Sequence, residues 1–130
     1  MQSAYYLRLA AGLGTLAVAL GAFGAHGLKT LVDAPALDTF QTGVRYHFYH
    51  TFAIAIAALL AGRSGFSERW LTRAVGAWAI GILLFSGSLY LLTLRDYHPV
   101  PAGLLGPITP LGGLAFIAGW VMLGLSSRRA

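Results

Sequence analysis

His47 and His50, three residues apart, are the groups in this chain whose spacing best suits joint chemistry. At i and i+3 they share one face of a helix. Imidazole nitrogens ligate metals and accept hydrogen bonds. With His26 as a third ligand, they give one expectation: a metal or haem site on His26, His47 and His50. Arg45 and Tyr46 precede the pair, and Ser86, Ser88 and Thr109 supply hydroxyls further along. With the imidazoles these donors suit a quinone or a lipid headgroup. The competing reading is structural and takes precedence. In it the imidazoles bond backbone carbonyls or cap helix ends, Arg45 snorkels to the interface, and the serines donate one turn back along their helix. The working expectation is therefore no resident cofactor and no catalytic residue.

Such groups need elements to hold them, and the elements are apolar. Residues 9–25, 46–62, 74–94 and 104–125 contain no Asp, Glu, Lys or Arg. A bilayer core of ~30 Å is crossed by about 20 mostly apolar residues at ~1.5 Å each. The expected fold is all-α: a polytopic membrane protein whose four transmembrane helices pack as a small bundle. Its spans fall at approximately 5–26, 44–62, 71–94 and 104–125, within a single domain over 1–130. Composition agrees, since 10% of residues are charged against about 25% in ordinary soluble domains. The first segment has signal-peptide features, with Arg8 ahead and small residues at 22–25. Its apolar run of 17 residues exceeds the usual ~7–15, so it reads as a retained span.

The net charge of +5 does not point to nucleic acid, because the basic residues sit at segment ends in the positive-inside pattern. With four spans, Arg8, Arg63, Arg69, Arg73, Arg128 and Arg129 share a side with Glu68. Lys29, Arg45 and Arg95 face Asp33, Asp38 and Asp96 on the other. Both termini are expected in the cytoplasm of a bacterium, with the chain in the inner (plasma) membrane and its arginines on anionic headgroups. Cysteine is absent, which removes thiolate chemistry. All four acids lie in loops, so no intramembrane carboxylate is expected to carry a proton or sodium. That argues against active transport, and no nucleophile–base–acid set assembles for catalysis.

Glycines mark where helices touch. Ala10/Gly14 and Ala17/Gly21 form small-xxx-small pairs, and Gly24, Gly81 and Gly87 extend the set; small residues let backbones approach in lipid. Asp38 is expected to cap a short helix leading into the second span, placing Arg45 near a helix start. Ser67 is expected to cap the third helix. Trp70 suits the interface belt and Trp78 the upper bilayer. Pro107 and Pro110 are expected at the start of the fourth helix.

Four stretches carry a resemblance. They are Gly21-Ala22-Phe23-Gly24-Ala25-His26-Gly27-Leu28, Arg45-Tyr46-His47-Phe48-Tyr49-His50, Phe85-Ser86-Gly87-Ser88-Leu89-Tyr90-Leu91, and Gly106-Pro107-Ile108-Thr109-Pro110-Leu111-Gly112-Gly113. In this order they resemble the bacterial family known as domain of unknown function 423, which includes the mitochondrial transmembrane protein 256. The resemblance spans nearly the whole chain and implies a small four-helix inner-membrane protein, without a reaction. Three functions stay open. One is a non-catalytic accessory or assembly subunit of a larger membrane complex, such as a respiratory one, and this reading leads. The others are a membrane protein binding haem, metal, quinone or lipid, and a homo-oligomeric channel or transport component. Expected partners are membrane lipids and either other membrane subunits or further copies of the chain.

Overall fold

The computed structural model describes residues 1–127; Arg128 and Arg129 of the basic count lie outside the described residues. Four helical rods account for most of the chain. The first is α1 (Gln2–Ala25) and the second α2 (Ala34–Leu60). The third joins α3 (Glu68–Gly81), a π-helical turn (Ile82–Ser86) and α4 (Gly87–Thr93) end to end. The fourth is α5 (Ala102–Ser126). Short 3-10 turns fill Leu28–Thr30 and Arg95–Tyr97. Among the described residues there is no strand, only a lone bridge between Phe66 and Ser127. Among the described residues three stretches are long and apolar enough to cross a membrane: Gln2–Thr30, Glu68–Thr93 and Ala102–Ser126.

The rods alternate in direction, as their end contacts show. At one end the Ser3 hydroxyl donates to the Ala58 carbonyl (2.7 Å), Tyr6 meets Thr72 (2.7 Å), and the Ser67 N–H donates to the Ser126 carbonyl (2.8 Å). At the other, the Thr93 hydroxyl donates to the Ala36 carbonyl (3.2 Å). α2 is the central rod, packed on α1 and on all three parts of the third rod, while α5 packs on the third rod. That position explains its sequence. A helix shielded by protein needs less apolar surface, and α2 is the one rod long enough to cross yet short of the apolarity of the others.

α2 also starts earlier than the sequence suggested. Asp33, not Asp38, is its cap: the carboxylate accepts the Ala36 N–H at 2.9 Å, with Pro35 in the first turn. Both features favour initiation there. Asp38 is simply inside the helix, and so is Arg45. Rather than meeting the positive end of a helix dipole, the Arg45 guanidinium donates to the Thr42 hydroxyl one turn back (2.9 Å). At the next start, Ser67 is the cap residue of α3 but makes no side-chain cap bond. The Glu68 carboxylate reaches back to the Gly62 N–H instead.

α5 begins after Pro101 and runs through Pro107 and Pro110, so neither proline starts the helix. Each ring crowds the carbonyl four residues earlier. Those residues are Gly103 and Gly106, which leave the backbone room to yield.

Glycines set the closest approaches. A Cβ at Gly24 would meet the Phe40 ring at 3.1 Å, and at Gly14 and Gly21 it would touch Thr51 and Val44 at 3.6 and 3.5 Å. These three seat α1 on α2. Gly81 meets the Phe116 ring, Gly112 the backbone of Phe85, and Gly119 the indole of Trp78, all too close for a Cβ. Gly87 is different from the expectation. Its nearest neighbour would be the Ile82 carbonyl of its own rod at 3.9 Å, so it seats no partner. Trp78 is fully buried in the core with Ile54, Leu71 and Phe116.

Candidate functional site

On α2, Tyr46, Tyr49 and His50 lie at i, i+3 and i+4 and so share a face. On α5, Pro110, Ile117 and Trp120 follow the same helical spacing, and Phe116 projects beside them. Because α2 and α5 both lean on the third rod rather than on each other, a groove of about 770 Å³ opens between them. Phe85, carried by the π-helical turn, joins its lining. A π turn inserts an extra residue and re-aims the side chains that follow. Here the wide turn lies against Gly112, where nothing but a glycine admits the Phe85 backbone.

His50 is the polar centre of this groove. Its Nε2 accepts the Trp120 indole N–H at 3.1 Å, and its Nδ1 donates to the Tyr46 carbonyl at 2.7 Å. An indole N–H can only donate, so the proton of a neutral ring belongs on Nδ1. The ring lies flat on Phe116, with centroids 3.5 Å apart and planes 5° from parallel. Both nitrogens are engaged in hydrogen bonds. Tyr46 adds a further layer, 4.8 Å from Phe85 and 6.2 Å from Phe116. Among the described residues no charged side chain lines the groove.

The remaining sequence-selected residues fall elsewhere. His47 is buried; its Nδ1 pairs with the Tyr90 hydroxyl at 3.0 Å, tying α2 to α4. Its Nε2 has no hydrogen-bond partner among the described residues, although the Leu13 carbonyl of α1 approaches the ring. Ser86 donates to the Gly43 carbonyl across the α2 contact (2.7 Å). Ser88 and Thr109 bond each other at 2.6 Å, joining α4 to α5. His26 is exposed beyond the end of α1, and Arg45 is exposed on α2. Thus Tyr46 and His50 come together, Ser88 meets Thr109, and His26, Arg45 and His47 stay apart from the groove. Among the described residues no three His, Cys, Asp or Glu side chains gather as a metal site.

Sequence reasoning missed Phe85, Phe116 and Trp120. One signal was present: Phe116 and Trp120 stand at i, i+4 and so share one face of a helix.

Apolar rods of this length, holding their polar groups inside, define an α-helical integral membrane protein. The profile of the family described as "Protein of unknown function (DUF423)" matches residues 20–113, and the chain belongs to that family. A "UPF0382 membrane protein" of Haemophilus influenzae is 42% identical over 96% of this chain and 94% of its own. The "UPF0382 membrane protein YwdK" of Bacillus subtilis is 46% identical over 83% of each chain. The "UPF0382 inner membrane protein YgdD" of Escherichia coli is 39% identical over 99% of this chain and 93% of its own. No solved structure matches the chain.

Proposed function

We propose that this protein crosses the bacterial inner membrane four times, with both termini cytoplasmic, and serves there as a non-catalytic accessory subunit of a larger membrane assembly. One observation carries the non-catalytic reading: Ser86, Ser88, Thr109, His47 and His50 each make a bond between helices, although His47 keeps its Nε2 outside them. Ser86 binds the Gly43 carbonyl, Ser88 binds Thr109, His47 binds Tyr90, and His50 is taken by Trp120 and Tyr46. A reacting centre would need some of these free.

Packing supports the fourth crossing. α2 has 27 residues, about 40 Å at ~1.5 Å each, and touches α1 near one end and α4 near the other. If its neighbours traverse the bilayer, α2 does too. The inner-membrane placement draws on the printed name of the Escherichia coli relative. Orientation rests on Arg8, Arg63, Arg69 and Arg73 sharing one end, with Arg128 and Arg129 following in sequence.

Gentle extraction from native membranes, followed by mass spectrometry of co-purifying proteins, tests the role. A stoichiometric membrane partner is the expected result; a protein recovered only alone or with copies of itself overturns it.

A further inference from the structure

The groove between α2 and α5 has a size and a surface that restrict what fits it. From Pro110 to Trp120 it runs ten residues of α5, about 15 Å at ~1.5 Å each. That is half of the ~30 Å hydrocarbon core, too short to seat a helix that crosses the membrane. Its volume of about 770 Å³ lies within the ~300–1,000 Å³ of small-molecule sites. Three of its rings, His50, Tyr46 and Phe116, are near-parallel, whereas Phe85 is tilted 58° from Phe116 and Trp120 63° from His50. His50 is 5° and Tyr46 24° from the plane of Phe116, and Tyr46 is 19° from His50.

Flat parallel rings favour a flat conjugated guest, which gains from offset stacking; a saturated chain gains nothing from their alignment. Two donors are available to such a guest. Tyr46 is engaged through its backbone carbonyl, and neither its phenol hydroxyl nor that of Tyr49 bonds another described residue. Tyr46 and Tyr49 are 40% and 54% exposed, so both can be reached from the lipid side. The absence of charge from the lining disfavours a phosphate or any other ionised group.

The geometry points to a binding site for a neutral, lipid-soluble molecule whose flat ring carries carbonyl oxygens, the quinone class, entering sideways from the bilayer. The ring lies along Tyr46 and Phe116, and a carbonyl accepts from Tyr49 or Tyr46. This rests on α2 lying within the membrane, as proposed above, but not on any partner subunit.

The test uses the full chain in phosphatidylethanolamine–phosphatidylglycerol nanodiscs, titrated with a benzoquinone bearing a short alkyl tail. Quenching of Trp120, which lines the groove, is expected to show a saturable component above the linear background. Gly113→Leu fills the groove without a core clash, since its Cβ would stand 3.9 Å from the Phe85 ring. It is expected to remove the saturable component while the variant stays folded by its melting curve. Tyr49→Phe keeps the ring and loses the donor, and is expected to weaken binding about threefold to tenfold, the worth of one hydrogen bond. Linear quenching alike in wild type and Gly113→Leu overturns the proposal. So does equal competition from an alcohol with the same tail and no ring, which would mark a groove for acyl chains. Cross-linking of an Ile117→Cys variant to a second copy would make the groove an interface and overturn it as well. A topology reporter that places α2 outside the bilayer would instead sink the four-span reading on which this site depends.

Discussion

At the scale of the residue, the two neighbouring histidines have separate occupations. His50 bridges α2 to α5 through Trp120, and His47 bridges α2 to α4 through Tyr90. Removing one partner of a buried hydrogen bond costs about 1–3 kcal/mol, because the other is left unsatisfied. His50→Phe preserves a flat ring over Phe116 but strands the Trp120 N–H, and a loss in that range is expected in denaturant or thermal unfolding. Trp120→Phe alone should cost less, since that indole is partly exposed. The double variant should fall short of the sum of the two by about 0.6–1.7 kcal/mol, as interhelical bonds in membrane proteins do. Simple additivity would mean that the two rings do not bond. The residue types were legible in the sequence, and their assignments were not. A spacing of i, i+3 still separates two side chains by most of a right angle around the helix, enough to give His50 to the groove and His47 to the interior.

At the scale of the element, the glycines divide into seams and bystanders, and only coordinates separate them. Gly14, Gly21 and Gly24 repeat at near-helical intervals and lie on the α1 surface that meets α2. Spacing could not rank Gly81, Gly87, Gly112 and Gly119, which depend on how the third rod is wound at its π turn. Gly112→Ala places a methyl on the Phe85 backbone and is expected to cost about 1–3 kcal/mol or more as overpacking. Gly87→Ala, which meets nothing closer than 3.9 Å, is expected to be neutral or to stabilise by up to about 1 kcal/mol through helix propensity. Parallel melting curves in one detergent check both, and the opposite ranking would place the α3–α5 crossing elsewhere. The start of α2 was misread for a related reason. Asp33 and Asp38 are both acceptable caps, and Pro35, which settles the choice, takes effect only where the preceding turn leaves the chain extended.

At the scale of the whole molecule, orientation rests on arithmetic that is open in the sequence: six basic residues against three. Changing Arg63, Arg69 and Arg73 to Gln leaves three on each side, Arg8, Arg128 and Arg129 against Lys29, Arg45 and Arg95. The positive-inside bias then vanishes. A dual reporter at the C-terminus is expected to read cytoplasmic for the parent and mixed for the triple variant; an unchanged cytoplasmic signal would show that something other than these arginines orients the chain. Helical class and the first, third and fourth rods were legible because lipid-facing helices must be apolar nearly all round. The second was legible in its apolar half, 46–62, and not in its first turns from Ala34, where neighbouring helices relieve it of that duty. The contacts also fall into two close couples, α1 with α2 and α3 with α5, joined along the flank of α2. Each couple hides its own glycine seam, so the first half of the chain already has a finished partner surface when the loop at Gly62 and Gly65 leaves the ribosome. Biogenesis can then proceed as the docking of two prebuilt hairpins, with the bonds of Ser86 and His47 as the latch that closes last.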